Sequence, residues 1–292
     1  LKSSGYFFAP NLSPSSRATI GGMINTDAAG KGSRVYGKTS DHIIALDLIC
    51  IGGETERVEP IQADVIRKGL EEKGHFIQRI MSPLLTLAED KRETIDKVFP
   101  ALSRFMTGYN LKMLYDQDQD ILDLTRLIAG SEGTLGIVTK SRLKLTPIPT
   151  HRRLILLSYG TFQDALGSAQ LLLEQTPSAI ETIDHNILFL ARADASYHEI
   201  KEILEGNGVP PDKVMAINLV EFEGHSEEEV KSRVDRCLDA LRPCYGAPNT
   251  PIADVVAISD QDQKGLWNLR KKGVGLLASR PGKRKPIAFV ED

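Results

Sequence analysis

Two glycine-rich segments contain the residues best suited to hold a charged ligand. Residues 18–30 read ATIGGMINTDAAG and residues 130–139 read GSEGTLGIVT. Glycine allows a backbone to approach a ligand closely and to adopt positive φ, while hydroxyls and backbone N–H groups suit a phosphate or pyrophosphate. One such loop is weak evidence, but two, each beside a strand-like run, predict a surface shaped around a large nucleotide cofactor.

The first segment has two interpretations. In the functional one it is a loop in which Gly21 and Gly22 allow close approach, while Asn25 and Thr26 supply hydrogen bonds to the ligand. In the alternative it is a solvent loop that happens to be rich in small residues. Composition by itself does not separate the two, because a motif needs its structural context.

The second segment is equally open. Its glycines form G-x-x-G-x-x-G, which differs from the G-x-G-x-x-G of Rossmann folds. The functional interpretation is a cofactor cradle in which Ser131 and Thr134 act as hydrogen-bond donors. The alternative is a turn between two strands whose glycines serve the backbone only.

A third motif, Gly32 to Thr39, matches the P-loop pattern G-x-x-x-x-G-K-[ST]. A P-loop requires a strand before it and a helix after it, so that the helix N-terminus meets the phosphates. Here residues 43–51 are strand-like, so the context argues against it. A P-loop nucleotide-binding protein nevertheless remains an alternative function.

Charged residues give weaker signals. Asp41 and His42 could act as an acid–base pair, although a histidine beside a strand start is more often structural and function needs demonstrated geometry. Arg270 and its neighbours in the run RKK, extended by Lys285 in KRK, could bind an anionic substrate. The alternative for both runs is a solvated surface.

Composition excludes several classes. The chain has 292 residues and a net charge of −3, so there is no electrostatic case for nucleic acid or an anionic membrane as a partner. No apolar run reaches the length of a transmembrane helix. Three cysteines form no disulfide or metal-ligand pattern, which favours a cytoplasmic location. The chain lacks an initiator Met and ends in a strand-like run, so we expect it to be part of something longer.

The elements that must position these residues fall into two groups. Before a linker at Pro147–Pro149 we predict a strand over 42–51, two helices over 60–100 and a strand after Gly136. After it, strands over 154–159, 179–183, 214–222 and 252–258 alternate with helices capped by Thr161, Ser226 and Asp260. This order predicts an α+β sandwich of the split βαβ kind.

The segments ATIGGMINTDAAG…YGKTSDHI and GSEGTLGIVTKSRLKLTPIP, with Gly108–Leu111 (GYNL) between them, resemble the FAD-binding domain of vanillyl-alcohol-oxidase/PCMH flavoproteins. More narrowly they resemble the FAD-linked dehydrogenases of D-2-hydroxy acids such as D-lactate or D-2-hydroxyglutarate. The resemblance implies an α+β fold: the second lobe of a PCMH-type FAD-binding domain over 1–149, with a helical insertion at about 60–100, and a ferredoxin-like cap or substrate domain over 150–292.

The resemblance also implies site residues. Arg270 would bind the carboxylate of a small-molecule 2-hydroxy acid, and Lys285, from the run KRK, would extend the same substrate-binding patch. The FAD-binding residues would be Gly21, Gly22, Asn25, Thr26, Asp41, His42, Gly130, Ser131, Glu132, Gly133, Thr134 and Ile137. Residues 21–26 and 130–137 would then converge as opposite sides of one flavin-sized groove.

The rest of the expected machinery lies outside this sequence. The family's first FAD lobe, its histidine-rich catalytic motif and the cysteines of a 4Fe-4S cluster are absent, so the catalytic base and electron acceptor stay unknown. We expect the chain alone to be inactive and to bind FAD weakly or not at all. Peripheral association with the inner membrane and a non-catalytic α+β binding domain are further alternatives.

Overall fold

The computed structural model describes residues 1–12, 17–69, 76–102, 108–192, 194, 197, 201–206 and 208–278. The chain divides into two compact units, one spanning Leu1–Pro147 and the other beginning at Ile148. Within the described ranges, no helix combines the length and apolar character that crossing a membrane requires.

The first unit mixes short helices with small sheets. Its helices are α1 (Ile20–Asn25), α2 (Ser33–Tyr36), α3 (Ala63–Lys68), α4 (Ser82–Asp90), α5 (Arg92–Val98) and α6 (Thr125–Ile128). Its strands are β1 (Tyr6–Phe7), β2 (Ile43–Ile49), β3 (Thr55–Val58), β4 (Ile61–Gln62), β5 (Tyr115–Asp116), β6 (Ile121–Leu122), β7 (Ile137–Leu143) and β8 (Thr146–Pro147).

The main sheet of this unit has the antiparallel order β3-β2-β7. Leu46 and Leu48 of β2 point into a core that also contains Ile24 of α1 and Ile128 of α6. The strands predicted over 42–51 and after Gly136 are therefore confirmed. The region 60–100 begins with the strand β4 and is otherwise mainly helical in its described part, with the three helices α3, α4 and α5 where two were predicted. The last of them ends at Val98 before Pro100, as predicted.

The second unit is built on one four-stranded antiparallel sheet with the order β10-β11-β9-β12. Its strands are β9 (His151–Tyr159), β10 (Ala179–Asp184), β11 (Ala216–Gly224) and β12 (Ala253–Ala257). Its helices are α7 (Phe162–Gly167), α8 (Ala169–Glu174), α9 (His185–Ala191), α10 (Lys201–Glu205), α11 (Glu227–Leu241) and α12 (Asp260–Ala278). The first and third strands of the unit lie at the centre, which is the order of a ferredoxin-like split βαβ fold.

Helices cover both faces of this sheet, a feature that the sequence interpretation missed. Ile155 and Leu157 of β9 pack against α7, α8 and α11, whereas Leu154 and Leu156 pack against α9, α10 and α12. The missed signal was the run LILLSY in β9: a strand that is buried on both faces is continuously apolar rather than alternating.

Three predicted helix starts can be compared with the structure. Thr161 and Ser226 cap α7 and α11, accepting hydrogen bonds from the amides of Asp164 and Glu229. The prediction of Asp260 as a cap was wrong by one residue. Ser259 Oγ accepts from the amide of Asp262 at 3.1 Å, so Asp260 is already helical.

Candidate functional site

The two glycine-rich segments lie directly against each other in the first unit. The Gly130 amide donates to the Ile24 carbonyl at 3.0 Å, and the Glu132 amide donates to the Asn25 carbonyl at 2.9 Å. The two segments therefore meet, as predicted. That they form opposite sides of one flavin-sized groove stays a prediction.

The first segment is a short helix rather than the loop we predicted. Thr19 caps α1 by accepting from the Gly22 amide at 3.1 Å, and Met23 and Ile24 are buried. The Thr26 hydroxyl donates to the Gly22 carbonyl at 3.1 Å, so its proton is used within the helix. A Cβ at Gly21 would meet no atom within 4 Å, which leaves open space beside this residue.

The second segment is a tight turn with left-handed backbone conformations. Gly130, Glu132 and Gly133 have φ of 81°, 52° and 76°. A Cβ at Gly136 would lie 2.7 Å from the Ile49 carbonyl oxygen, so the close approach of β2 requires glycine there. These contacts agree with the interpretation in which the glycines serve the backbone. Gly133 is exposed and lies beside Asn25.

The hydroxyls of this turn differ in what they can donate. The Thr134 hydroxyl donates to the Ser131 carbonyl at 2.6 Å, so the prediction that Thr134 donates to a ligand does not fit the structure. Ser131 is only 4% exposed, and its hydroxyl has no partner among the described residues. Tyr109 belongs to the GYNL element and has no predicted role. Its hydroxyl oxygen lies 2.8 Å from the hydroxyl oxygen of Thr134.

A buried ion pair lies directly after α1. Lys38 and Asp27 pair with side-chain exposures of 7% and 5%, and Asp27 also accepts from the amide and hydroxyl of Ser40. A P-loop lysine must instead reach the phosphates. The motif is followed by a single 3₁₀ turn, Thr39–His42, and then by β2. The P-loop alternative is therefore wrong.

Asp41 and His42 have different surroundings. Asp41 accepts from the Lys38 amide at 2.9 Å and from Arg126 at 2.6 Å. Burial would raise the pKa of Asp41, but these two donors outweigh it and lower that pKa. His42 is 5% exposed and donates through Nε2 to the Tyr36 carbonyl at 2.8 Å. The two side chains have separate partners, which favours the structural interpretation over an acid–base pair.

At the predicted substrate residues in the second unit, α12 faces the acidic side chains of the sheet. Arg270 Nε donates to Glu181 at 2.9 Å, and Trp267 Nε1 donates to Glu221 at 3.1 Å. Arg270 keeps 34% of its side chain exposed. Lys285 lies outside the described residues.

Comparisons with known proteins agree with this arrangement. The family model for the C-terminal domain of FAD linked oxidases matches residues 148–292, and a model for an FAD binding domain matches residues 1–59. The D-2-hydroxyglutarate dehydrogenases of Pantoea ananatis (strain AJ13355) and Escherichia coli (strain K12) are each 38% identical over 293 residues. These matches cover 100% of this chain and 28% of each relative. The chain belongs to the FAD-linked oxidase family.

More distant similarities support the fold. The glycolate oxidase subunit GlcD of Bacillus subtilis (strain 168) is 25% identical over 294 residues, which are 47% of that protein. A solved structure of alkyldihydroxyacetonephosphate synthase matches with a TM-score of 0.58 and 16% identity, covering 95% of this chain and 40% of that one. The match to this solved synthase structure confirms the α+β fold class of the chain. The chain spans little more than a quarter of the D-2-hydroxyglutarate dehydrogenases that it matches.

Proposed function

We propose that this chain is part of an FAD-dependent dehydrogenase that oxidises a D-2-hydroxy acid of the D-2-hydroxyglutarate or D-lactate type. The observation that carries the proposal is the hydrogen-bonded pairing of α1 with the 130–136 turn, which places exposed backbone and the Ser131 hydroxyl together. The 38% identity to D-2-hydroxyglutarate dehydrogenases along the whole chain supports the choice of substrate class.

The residues present fit a flavin nucleotide. Open space beside Gly21 and the exposed Gly133 allow close approach of a ring or pyrophosphate, and the Ser131 hydroxyl is an available donor. We assign the direct contacts to both glycine segments: Gly21, Gly22, Asn25, Gly130, Ser131, Glu132, Gly133 and the backbone of Ile137. Four further residues act indirectly, because their hydrogen bonds to backbone groups hold the local chain in place: Thr26, Asp41, His42 and Thr134.

In the proposed reaction the protein positions the substrate and balances its charge. FAD, when bound, would accept the hydride that leaves the hydroxy-acid Cα, while a base would take the hydroxyl proton. Arg270 binds the substrate carboxylate, since a guanidinium presents its N–H donors in a planar fork that matches a carboxylate, and 34% of this side chain is exposed. Lys285 adds a second positive charge for the same anion. We propose no catalytic base within this chain.

The resemblance supports three further proposals about the protein that carries this chain. The protein that carries this chain holds a 4Fe-4S cluster outside the present sequence. It lies in the cytoplasm, with peripheral attachment to the inner membrane as the alternative. Residues 1–149 serve the cofactor and residues 150–292 serve the substrate.

Substrate-dependent reduction of the flavin tests the proposal. The protein as its gene encodes it should contain FAD whose absorption bleaches with D-2-hydroxyglutarate or D-lactate under anaerobic conditions, and not with the L enantiomers. Arg270→Lys should raise the KM for the acid at least tenfold, because lysine cannot form the planar bidentate contact. Arg236→Lys, an exposed arginine of α11, is the matched control. Bound FAD that neither acid reduces would instead favour a non-catalytic binding domain.

A further inference from the structure

We propose that Tyr109 is a positioning residue for the bound flavin nucleotide, acting through its hydroxyl on the 130–136 turn. The inference rests on the proposed function, since it assumes that this turn contacts FAD. The Tyr109 and Thr134 hydroxyl oxygens are 2.8 Å apart, and 25 residues separate the two in sequence.

The direction of this hydrogen bond follows from the neighbouring one. Thr134 has a single hydroxyl proton, which it donates to the Ser131 carbonyl at 2.6 Å. The Thr134 oxygen can therefore only accept from Tyr109, and Tyr109 must be the donor. The result is a directed chain from Tyr109 through Thr134 to the Ser131 carbonyl, next to the hydroxyl assigned to FAD.

The turn needs this hydrogen bond because its backbone conformation is unfavourable in free energy. Glu132 is not glycine and still has φ of 52°, a conformation that L residues rarely adopt. Within the turn, the Thr134 amide also donates to the Ser131 carbonyl at 3.0 Å. Tyr109 donates a hydrogen bond to the same turn from a separate segment. In that segment Gly108 has φ of 72°, and the Asn110 side chain accepts from the Met113 amide.

Exposure separates Tyr109 from an ordinary core tyrosine. Its side chain is 43% exposed, so removing the hydroxyl creates no buried cavity and should not unfold the unit. Tyr6 of β1 offers a matched control, since it is 45% exposed and its hydroxyl has no partner among the described residues.

The experiment is a double-mutant cycle on flavin affinity. Tyr109→Phe, Thr134→Val, the double variant and Tyr6→Phe are prepared in the protein as its gene encodes it, stripped of flavin and titrated with FAD by fluorescence quenching. We expect Tyr109→Phe to bind FAD about threefold to tenfold more weakly, as the loss of one hydrogen bond predicts. The double variant should be no worse than Thr134→Val alone, because both changes break one chain.

Two further readouts separate positioning from general damage. Amide exchange of residues 130–135 without FAD should speed up in Tyr109→Phe and stay unchanged in Tyr6→Phe. Turnover of Tyr109→Phe should return to that of the unsubstituted protein at saturating FAD.

Affinity of Tyr109→Phe within twofold of the unsubstituted protein, or additive effects in the double variant, would overturn the inference while leaving the proposed function intact. If the unsubstituted protein binds no FAD, the proposed function fails, and this inference fails with it.

Discussion

At the residue scale, the buried pair of Lys38 and Asp27 shows how one tertiary contact changes the meaning of a motif. Lysine in a G-x-x-x-x-G-K-[ST] pattern suggests phosphate binding. Here Asp27 neutralises it and also accepts from the amide and hydroxyl of Ser40. The pair ties together the chain between α1 and β2.

Removing one partner of this pair should be strongly destabilising. Lys38→Met leaves Asp27 buried without its cation, and we expect a loss of about 3–5 kcal/mol in the free energy of unfolding, measured in urea. Lys140→Met is the matched control because that side chain is 81% exposed and its Asp47 contact is long, so its effect should be near zero. Equal losses in both variants would contradict the assignment.

Tyr159 leads to a prediction about alkaline pH. Burial raises its pKa to about 12, even though the hydrogen bonds with Ser168 and Asn218 lower it. The unfolded side chain titrates near 10. The raised pKa means that the native state keeps a proton that the unfolded state loses, so stability is complete below about pH 10 and falls as pH rises toward 12.

The variant Tyr159→Phe isolates this effect. Unfolding in urea at several pH values from 9 to 11 should show a steeper loss of stability in the unsubstituted protein than in Tyr159→Phe. Parallel pH profiles would mean that Tyr159 ionises alike in both states.

At the element scale, helix capping is where local sequence acts most directly. Ser226 accepts from the Glu229 amide at 3.3 Å, and three glutamates occupy the first turn of α11, where negative charge suits the helix dipole. Val230 and Val234 then bury one side of the helix on the sheet. The helix α9 begins in the same way, because Asp184 accepts from the Ile187 amide at 3.0 Å.

Loss of the Ser226 cap should cost about 1 kcal/mol of unfolding free energy, because one backbone N–H loses its acceptor. Ser226→Ala should show this cost in urea unfolding followed by circular dichroism. Ser226→Asp keeps an acceptor beside the same amide and should stay close to the unsubstituted protein. A stable alanine variant would show that water replaces the cap at no cost.

At the scale of the whole molecule, the division between Pro147 and Ile148 leads to a prediction about folding. Each unit has hydrophobic clusters of its own, which is what independent folding requires. Residues 148–292 expressed alone should give dispersed amide signals and a cooperative urea transition. A collapsed spectrum without such a transition would contradict this.

Cofactor retention tests how much of the FAD-binding surface this chain contains. We expect residues 1–292 alone to lose FAD during gel filtration, because the resemblance places the remaining FAD-binding surface outside this sequence. A flavin spectrum that stays with the purified chain would contradict this expectation. Adding FAD during refolding is the control for simple loss of cofactor during expression.

The sequence by itself determined the family resemblance, the longer strands and the helices that Thr161 and Ser226 cap, because apolar periodicity and capping residues act locally. The short strands of the first unit and the helix α1 were not predicted. The family resemblance also implied that residues 21–26 and 130–137 converge. Only the tertiary structure decided which groups can still act on a ligand. Lys38, Thr26 and Thr134 look like ligand donors in sequence, yet each is engaged by a protein partner. Such competition depends on the backbone conformation and on the distances between side chains and backbone groups in the folded chain, which composition and spacing do not contain.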